Sequence, residues 1–157
     1  MKSQPLDFYT QYNQFFIVDK GSSWEFDNTI WSEATTQNRL VALSNFLSVF
    51  TGSYGQIRGK FDVYADEPPL DVVAYDHVVE ACIKTISGTL EIIACGFNDA
   101  DYLINVSPGN YRIRICSTGL DAVIGDDGND FYTIQLWPSE WKEAKVLKQY
   151  NNAQESG

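Results

Sequence analysis

Few side chains in this sequence could do acid–base or nucleophilic chemistry. His77 is the one histidine, so a general base oriented by a carboxylate, or a cysteine–histidine pair, would have to use it. It follows Tyr75 and Asp76 at the start of a predicted strand, where a histidine is more often held by hydrogen bonds as part of the fold. The sequence has no Gly-rich phosphate loop, no HExxH pattern and no Gly-x-Ser-x-Gly pattern. We therefore expect this protein not to be an enzyme.

The three cysteines, Cys82, Cys95 and Cys116, each lie inside a predicted strand. An odd number cannot pair completely within one chain, and no two of them have the close spacing of a zinc site. The simplest interpretation is small buried apolar side chains in a reducing compartment. We expect neither a metal site nor a cofactor.

Ligand binding is a second kind of chemistry that the residues allow. The run Asp126-Asp127-Gly128-Asn129-Asp130 could hold Ca²⁺ through its oxygens, but it lacks the ligand spacing of an EF-hand loop and suits a solvated turn equally well. Trp24, Trp31, Trp137 and Trp141 could stack on sugars or pack in the core. A lectin-like or calcium-linked binding module is therefore the alternative function.

The distribution of charge is more informative. From residue 62 to residue 140 the sequence carries 14 acidic residues and three basic ones, and most of the acids fall in three predicted loops, 65–76, 99–101 and 121–130. Loops gather at the two ends of a β-sandwich, so these acids could form a rim that binds a basic protein; ordinary solubility is the other interpretation. The predicted partner-binding residues are Asp66, Glu67, Asp71, Asp99, Asp101, Asp121, Asp126, Asp127 and Asp130.

The stretch 106–116 predicts the scaffold that positions these loops. A Pro-Gly-Asn turn is followed by strict alternation, with Tyr111, Ile113 and Ile115 on one face and two arginines on the other. A period of two is typical of a strand with one buried face, and we expect an interior strand here. Similar patterns predict strands over 8–18, 56–64, 102–106 and 131–137, and a Ser-Gly break predicts that 78–85 and 90–95 form a β-hairpin.

Two stretches stay ambiguous. Residues 32–50 fit either a helical face or two short strands broken at Ser44-Asn45, and residues 139–150 fit a turn of helix or an edge strand. The sequence therefore predicts an all-β fold: a single-domain antiparallel β-sandwich over residues 1–150, jelly-roll or immunoglobulin-like, with room for one short helix. Residues 151–157 are expected to be a disordered C-terminal tail.

Composition narrows the possible partners. The formal charge of −10 and a pI near 4.3 argue against direct binding of nucleic acid or of an anionic membrane, because both would repel the chain. The N-terminus has no apolar run like that of a signal peptide, and no stretch approaches the ~20 apolar residues of a membrane span. We expect a cytoplasmic monomer or homodimer.

Several short motifs resemble a known family. Tyr12-Asn13-Gln14-Phe15 followed by Asp19, and Pro108-Gly109-Asn110-Tyr111 leading to Cys116, resemble motifs of the ComJ family, the inhibitors of a bacterial DNA-entry nuclease. The stretch 75–80 and the motif Leu136-Trp137-Pro138 also resemble a wide group of uncharacterised bacterial proteins of similar length. The resemblance follows most of the chain in order but assigns no inhibitory residue to a position in it.

The resemblance implies a cytoplasmic, acidic bacterial protein that binds and blocks a nuclease or toxin, as an immunity protein or the antitoxin of a toxin–antitoxin pair does. The acidic character of the chain agrees with this implication. A nuclease is basic where it holds phosphates, so an acidic surface could occupy that groove in place of DNA. Complementary charge would also speed the encounter of the two proteins.

Overall fold

The computed structural model describes residues 1–23, 31–123 and 128–151. Two short 3-10 helices, Val72–Ala74 and Leu120–Ala122, lie in loops of this part of the chain. None of the described helices is long and apolar enough to cross a bilayer. The described strands and the α-helix are β1 Lys2–Tyr9, β2 Gln14–Asp19, α1 Glu33–Asn38, β3 Leu40–Leu43, β4 Phe46–Phe50, β5 Gln56–Val63, β6 His77–Thr85, β7 Thr89–Ala94, β8 Tyr102–Asn105, β9 Gly109–Thr118, β10 Phe131–Pro138 and β11 Lys145–Lys148.

The described strands form two sheets. One has six strands in the order β1-β5-β10-β9-β6-β11, and the other has five in the order β3-β4-β2-β7-β8. Paired strands run antiparallel except β5 and β10, which are parallel. Buried side chains from both sheets form one hydrophobic core between them. The predicted all-β sandwich is confirmed, with one parallel pair inside it.

Strand β9 lies in the interior of the six-stranded sheet, between β10 and β6. Its alternation places Tyr111, Ile113 and Ile115 in the core, as predicted, and turns Arg112 and Arg114 to the outer face. The same alternation on β10 buries Ile134 and its neighbours in the core. Burying a side chain of this size contributes about 1.5–3 kcal/mol, so these inward faces fix the register of the sheet.

The predicted hairpin of 78–85 and 90–95 is wrong in its pairing. Both strands exist, but β6 pairs with β9 and β11 in one sheet, whereas β7 pairs with β2 and β8 in the other. The Ser-Gly break is therefore a corner between the sheets. The buried Asp19 carboxylate holds that corner, accepting hydrogen bonds from the Thr85 hydroxyl and from the backbone N–H groups of Ile86 and Ser87. Burial alone would raise the pKa of Asp19, but these hydrogen bonds outweigh it and lower the pKa.

The single strand predicted over 8–18 is also wrong. The chain turns between β1 and β2, where Tyr12 and Asn13 both adopt positive φ and Gln11 bridges to Gln14. Two successive left-handed residues make the type of tight turn that fits antiparallel strands, and Asn13 is the residue that signals it. Strand β1 escaped prediction because Pro5 lies within it, which only an edge strand tolerates.

The ambiguous stretches are resolved by the structure. Residues 40–50 form the two strands β3 and β4, broken at Ser44-Asn45, and a short helix precedes them. Residues 139–150 contain the edge strand β11. The predicted disordered tail lies outside the described residues apart from Asn151, and so does Trp24.

Candidate functional site

The strand directions decide where the three acidic loops lie. Strands β2, β5, β6 and β10 all begin at one end of the sandwich, which we call the His77 end. The loop after β7 and the loop between β9 and β10 both lie at this end. The loop 64–76 instead leaves β5 at the opposite end and reaches β6 at the His77 end, so it crosses the outer face of the six-stranded sheet. The acids of the three loops therefore do not form one rim.

We call residues 65–74, the central part of this crossing loop, the acidic strap. Side chains beneath it hold its backbone: Arg114 Nη1 donates to the carbonyl oxygen of Pro68 at 3.1 Å, and Lys148 Nζ donates to that of Val72 at 3.0 Å. Pro68 is buried, which anchors the middle of the strap to the sheet. Asp71 accepts a hydrogen bond from the Val73 N–H at 3.1 Å and caps the 3-10 helix. The strap is thus a surface segment with a fixed backbone.

The outward side of the strap carries three of the predicted partner-binding residues. Asp66, Glu67 and Asp71 are all exposed. Beside them Val73 is 83% exposed, and Val72 next to it is exposed as well. The strap therefore presents negative charge and a small apolar surface side by side.

A buried ionic cluster supports the strap from below. The Glu80 carboxylate accepts from Arg112 Nε at 3.2 Å and from Arg114 Nε at 2.8 Å. Arg114 also donates to Gln135 Oε1 at 2.9 Å and lies 4.7 Å from the centre of the Trp137 ring. All these residues are buried, so removing one partner would leave charge without compensation in the interior. The two outward arginines of β9 are thus structural anchors for the loops above them.

The other described acids of the predicted set lie at the His77 end, and Asp121 is near the end of the strap because Lys148 holds Val72 and Tyr150 holds Asp121. Asp99 and Asp101 are exposed in the loop after β7, but the carboxyl group of Asp101 is partly shielded from water, and this desolvation raises its pKa. Asp121 is exposed and accepts a 2.6 Å hydrogen bond from the Tyr150 hydroxyl, which raises the pKa of that hydroxyl to about 12. Among the described residues, no recorded hydrogen bond or ion pair links Asp121 to the loop of Asp99 and Asp101.

Asp130 is an internal residue. It is 4% exposed, and its carboxylate accepts hydrogen bonds from the Ser53 N–H at 3.0 Å, from the Ser53 hydroxyl and from the Tyr132 hydroxyl at 2.5 Å. A partner docked on the surface would not touch this group. Asp126 and Asp127 lie outside the described residues. In the described ranges, no group of three His, Cys, Asp or Glu side chains could hold a metal ion.

His77 is buried with both ring nitrogens engaged. Nδ1 accepts from the Tyr150 N–H at 3.0 Å, which leaves the proton on Nε2 to be donated to the Asn38 carbonyl oxygen at 2.8 Å. Burial lowers the pKa of His77, and the nearby charge of Arg39 lowers it further. The ring joins the helix end to the C-terminal segment, and it does not face solvent as a catalytic base would.

The cysteines also have structural positions. Cys82 and Cys116 are buried, Cys95 is partly buried, and all three are free thiols. Burial raises the pKa of Cys116 to about 12, so that thiol stays protonated. Cys82 Sγ accepts from the Lys142 N–H at 3.3 Å and helps to hold the segment after β10 against the sheet.

Sequence reasoning missed two features of this surface. The pairing of Glu80 with both arginines follows from the register of β6 against β9, and the outward position of Glu80 in the alternation of β6 was the available signal. The exposure of Val73 had no local signal, because it depends on which side of the crossing loop faces the sheet. Both features became visible only once the path of the strap was known.

Comparisons with known proteins agree with this fold. The crystal structure of ComJ from Bacillus subtilis, an inhibitor of the DNA degrading activity of NucA, superimposes with a TM-score of 0.69 at 16% identity, covering 88% of this chain and 98% of that one. A structure described as crocagin biosynthetic gene J gives a TM-score of 0.58 at 16% identity, covering 89% of this chain and 100% of that one. No protein-family profile matches the chain, and neither does any curated protein sequence. The resemblance to the ComJ fold is thereby confirmed.

Proposed function

We propose that this chain is a binding protein that inhibits a basic partner enzyme, a nuclease, by covering its active site. The observation that carries the proposal is the fold match with ComJ, which extends over nearly all of both chains. The formal charge of −10 supports it, because DNA-degrading enzymes need a basic surface where they hold phosphates. The engagement of His77 agrees with it, since the one imidazole that could act as a general base is used inside the fold.

The acidic strap is the surface that we propose contacts the partner. Asp66 and Glu67 would meet the lysines or arginines that otherwise bind phosphate, and Val73 would enter an apolar notch between them. Binding a flexible loop costs conformational entropy, but the hydrogen bonds from Arg114 and Lys148 have already ordered this backbone. A preordered acidic segment can therefore imitate one edge of a DNA strand at low entropic cost.

The acids at the His77 end form a second proposed contact. Asp99, Asp101 and Asp121 are exposed there, and Asp126 and Asp127 belong to the same predicted set. Lys148 holds Val72 of the strap and Tyr150 holds Asp121, so one partner would contact the end of the strap and Asp121 together. We propose that the chain acts in the cytoplasm as an immunity protein or antitoxin, as a monomer or homodimer that binds neither DNA nor membranes itself.

The experiment measures association with the DNA-degrading enzyme encoded nearest to the gene of this chain. The double variant Asp66→Asn/Glu67→Gln removes two charges from the strap, and Glu33→Gln/Glu91→Gln removes two charges from helix α1 and strand β7. We expect the strap variant to slow association by roughly 3- to 10-fold at low salt, with the difference shrinking as salt screens the charges. Equal rates for the two variants would reject the strap as the contact, and absence of any complex would reject the function.

A further inference from the structure

A second site lies at the His77 end, in a concave cavity of about 250 Å³ between the β1–β2 turn and helix α1. Its apolar walls include Trp31 and Phe50, whose rings stack at 6.0 Å with an angle of 26°. Tyr12 lines the mouth, where it is 66% exposed and meets Tyr54 edge-on. The cavity therefore offers flat aromatic surface to a small ring.

Arg39 is the one charged residue among the described residues that line the cavity. The Nε–H of Arg39 is buried, and no described residue accepts a hydrogen bond from it. Other polar groups of the lining are already paired, since Asn13 donates to the Gly52 carbonyl, Thr36 to the Ser32 carbonyl and Thr51 to the Ser53 carbonyl. The guanidinium carbon of Arg39 lies 6.0 Å from the centre of the Tyr150 ring, and its buried Nε–H has no acceptor among the described residues, so hydrogen bonds within the fold do not fully occupy this group.

The backbone of the cavity is strained at the same place. Among the described non-glycine residues, positive φ occurs at Tyr12, Asn13 and Arg39, and all three line this cavity. Arg39 ends helix α1 in a left-handed conformation that glycine or asparagine would adopt more easily. The turn between β1 and β2 accounts for Tyr12 and Asn13, whereas at Arg39 the arginine side chain is kept at a position that glycine would occupy at less cost.

The charges select the ligand class. Among the described residues that line the cavity, Arg39 is the one that carries a charge, and it can pair with an anion. The planar guanidinium can pair bidentately with a carboxylate or a phosphate, and the net charge of −10 repels the singly charged carboxylate less than it repels a phosphate. We infer that this cavity is a binding site for a small aromatic carboxylate, with the ring beside Trp31 and Phe50 and the carboxylate on Arg39. The site stands independently of nuclease inhibition.

Calorimetry with three matched probes tests the inference. Indole-3-acetate carries the ring and the carboxylate, indole-3-ethanol carries the ring alone, and acetate carries the carboxylate alone. We expect saturable 1:1 binding of indole-3-acetate, at least tenfold weaker binding of indole-3-ethanol, and no measurable binding of acetate. Equal affinity for the two indoles, tighter binding of inorganic phosphate, or no binding of indole-3-acetate would overturn the inference.

Variants of Arg39 locate the site. Arg39→Asn removes the guanidinium but keeps a residue that tolerates positive φ, so the protein should fold and lose the tenfold preference for indole-3-acetate. Arg58→Asn, on the exposed face of β5, makes the same chemical change elsewhere and should leave the preference intact. If Arg39→Asn fails to fold, the same preference is measured with Arg39→Lys. This variant keeps the positive charge but removes the planar guanidinium that pairs with a carboxylate through two hydrogen bonds. Full affinity in the folded Arg39 variant would overturn the assignment.

Discussion

The Asp19 carboxylate, at the end of β2, accepts a 2.6 Å hydrogen bond from the Thr85 hydroxyl at the end of β6 and so joins the two sheets at one corner. The Ser87 hydroxyl donates to the same carboxylate oxygen at 2.6 Å. A buried carboxylate that accepts several hydrogen bonds is a strong local constraint, and here it fixes the turn that sends the chain from one sheet to the other.

Replacing Asp19 by asparagine should therefore destabilise the fold. The amide has one acceptor in place of two and turns an NH₂ group towards donors, so we expect the free energy of unfolding to fall by about 2–3 kcal/mol. Urea denaturation followed by tryptophan fluorescence measures it, with Asp7→Asn on the exposed side of β1 as the control. A midpoint equal to that of the control would show that the corner does not depend on this carboxylate.

His77 should make stability depend on pH. Burial lowers its pKa in the folded state below the ordinary value of 6.5, so the unfolded chain takes up the proton first. The stabilisation is complete above about pH 6.5 and decreases as the pH falls from there towards the folded-state pKa. Urea denaturation between pH 7.5 and pH 5 should show this decrease in the native protein and not in His77→Gln. The one histidine also gives an unambiguous NMR titration, and a folded-state pKa at or above 6.5 would contradict the prediction.

Arg114→Met should loosen the acidic strap. The substitution removes the donor to the Pro68 carbonyl and half of the compensation of Glu80, which costs about 3–5 kcal/mol for a buried ionic group. We expect a lower unfolding midpoint and faster proteolytic cleavage within 65–74. Arg58→Met removes an exposed arginine from the same sheet and should change stability by less than about 0.5 kcal/mol. Unchanged cleavage of the strap in folded Arg114→Met would show that other contacts hold it.

Tyr132→Phe should show that Asp130 belongs to the interior. The Tyr132 hydroxyl accepts from the Gly52 N–H at 2.8 Å and donates to Asp130, so its loss leaves both groups short of a partner. We expect a loss of about 1–3 kcal/mol in the free energy of unfolding, measured by thermal and urea denaturation. The folded variant should bind the partner enzyme as tightly as the native chain does. A weaker complex with unchanged stability would show that Asp130 takes part in binding the partner.

The sequence predicted those parts of the fold that local periodicity controls. The strict alternation of β9 and β10 reported both their existence and their inward faces, because a period of two leaves one assignment for each side chain. The prediction failed where the pairing of strands depends on contacts between residues far apart in the sequence. The Ser-Gly break before β7 predicts a hairpin locally, and only Asp19, 66 residues away from Thr85 along the chain, makes it a corner.

The residues of the candidate site could likewise be predicted only in part. The acids of the loops are visible in the sequence, but their positions follow from loop paths that periodicity does not encode. Asp130 looks like part of a polar turn and is buried because Ser53 and Tyr132 converge on it. Arg39 carried no sequence signal at all, since its unpaired Nε–H depends on the packing of three separate segments.

The central claim is that this chain blocks a basic nuclease, and DNA degradation by that enzyme in the presence of the chain tests it most directly. We expect the native chain to abolish degradation near a 1:1 ratio, the variant Asp66→Asn/Glu67→Gln to need several-fold more protein, and the variant Glu33→Gln/Glu91→Gln to act like the native chain. Undiminished DNA degradation at a large excess of the native chain would contradict it.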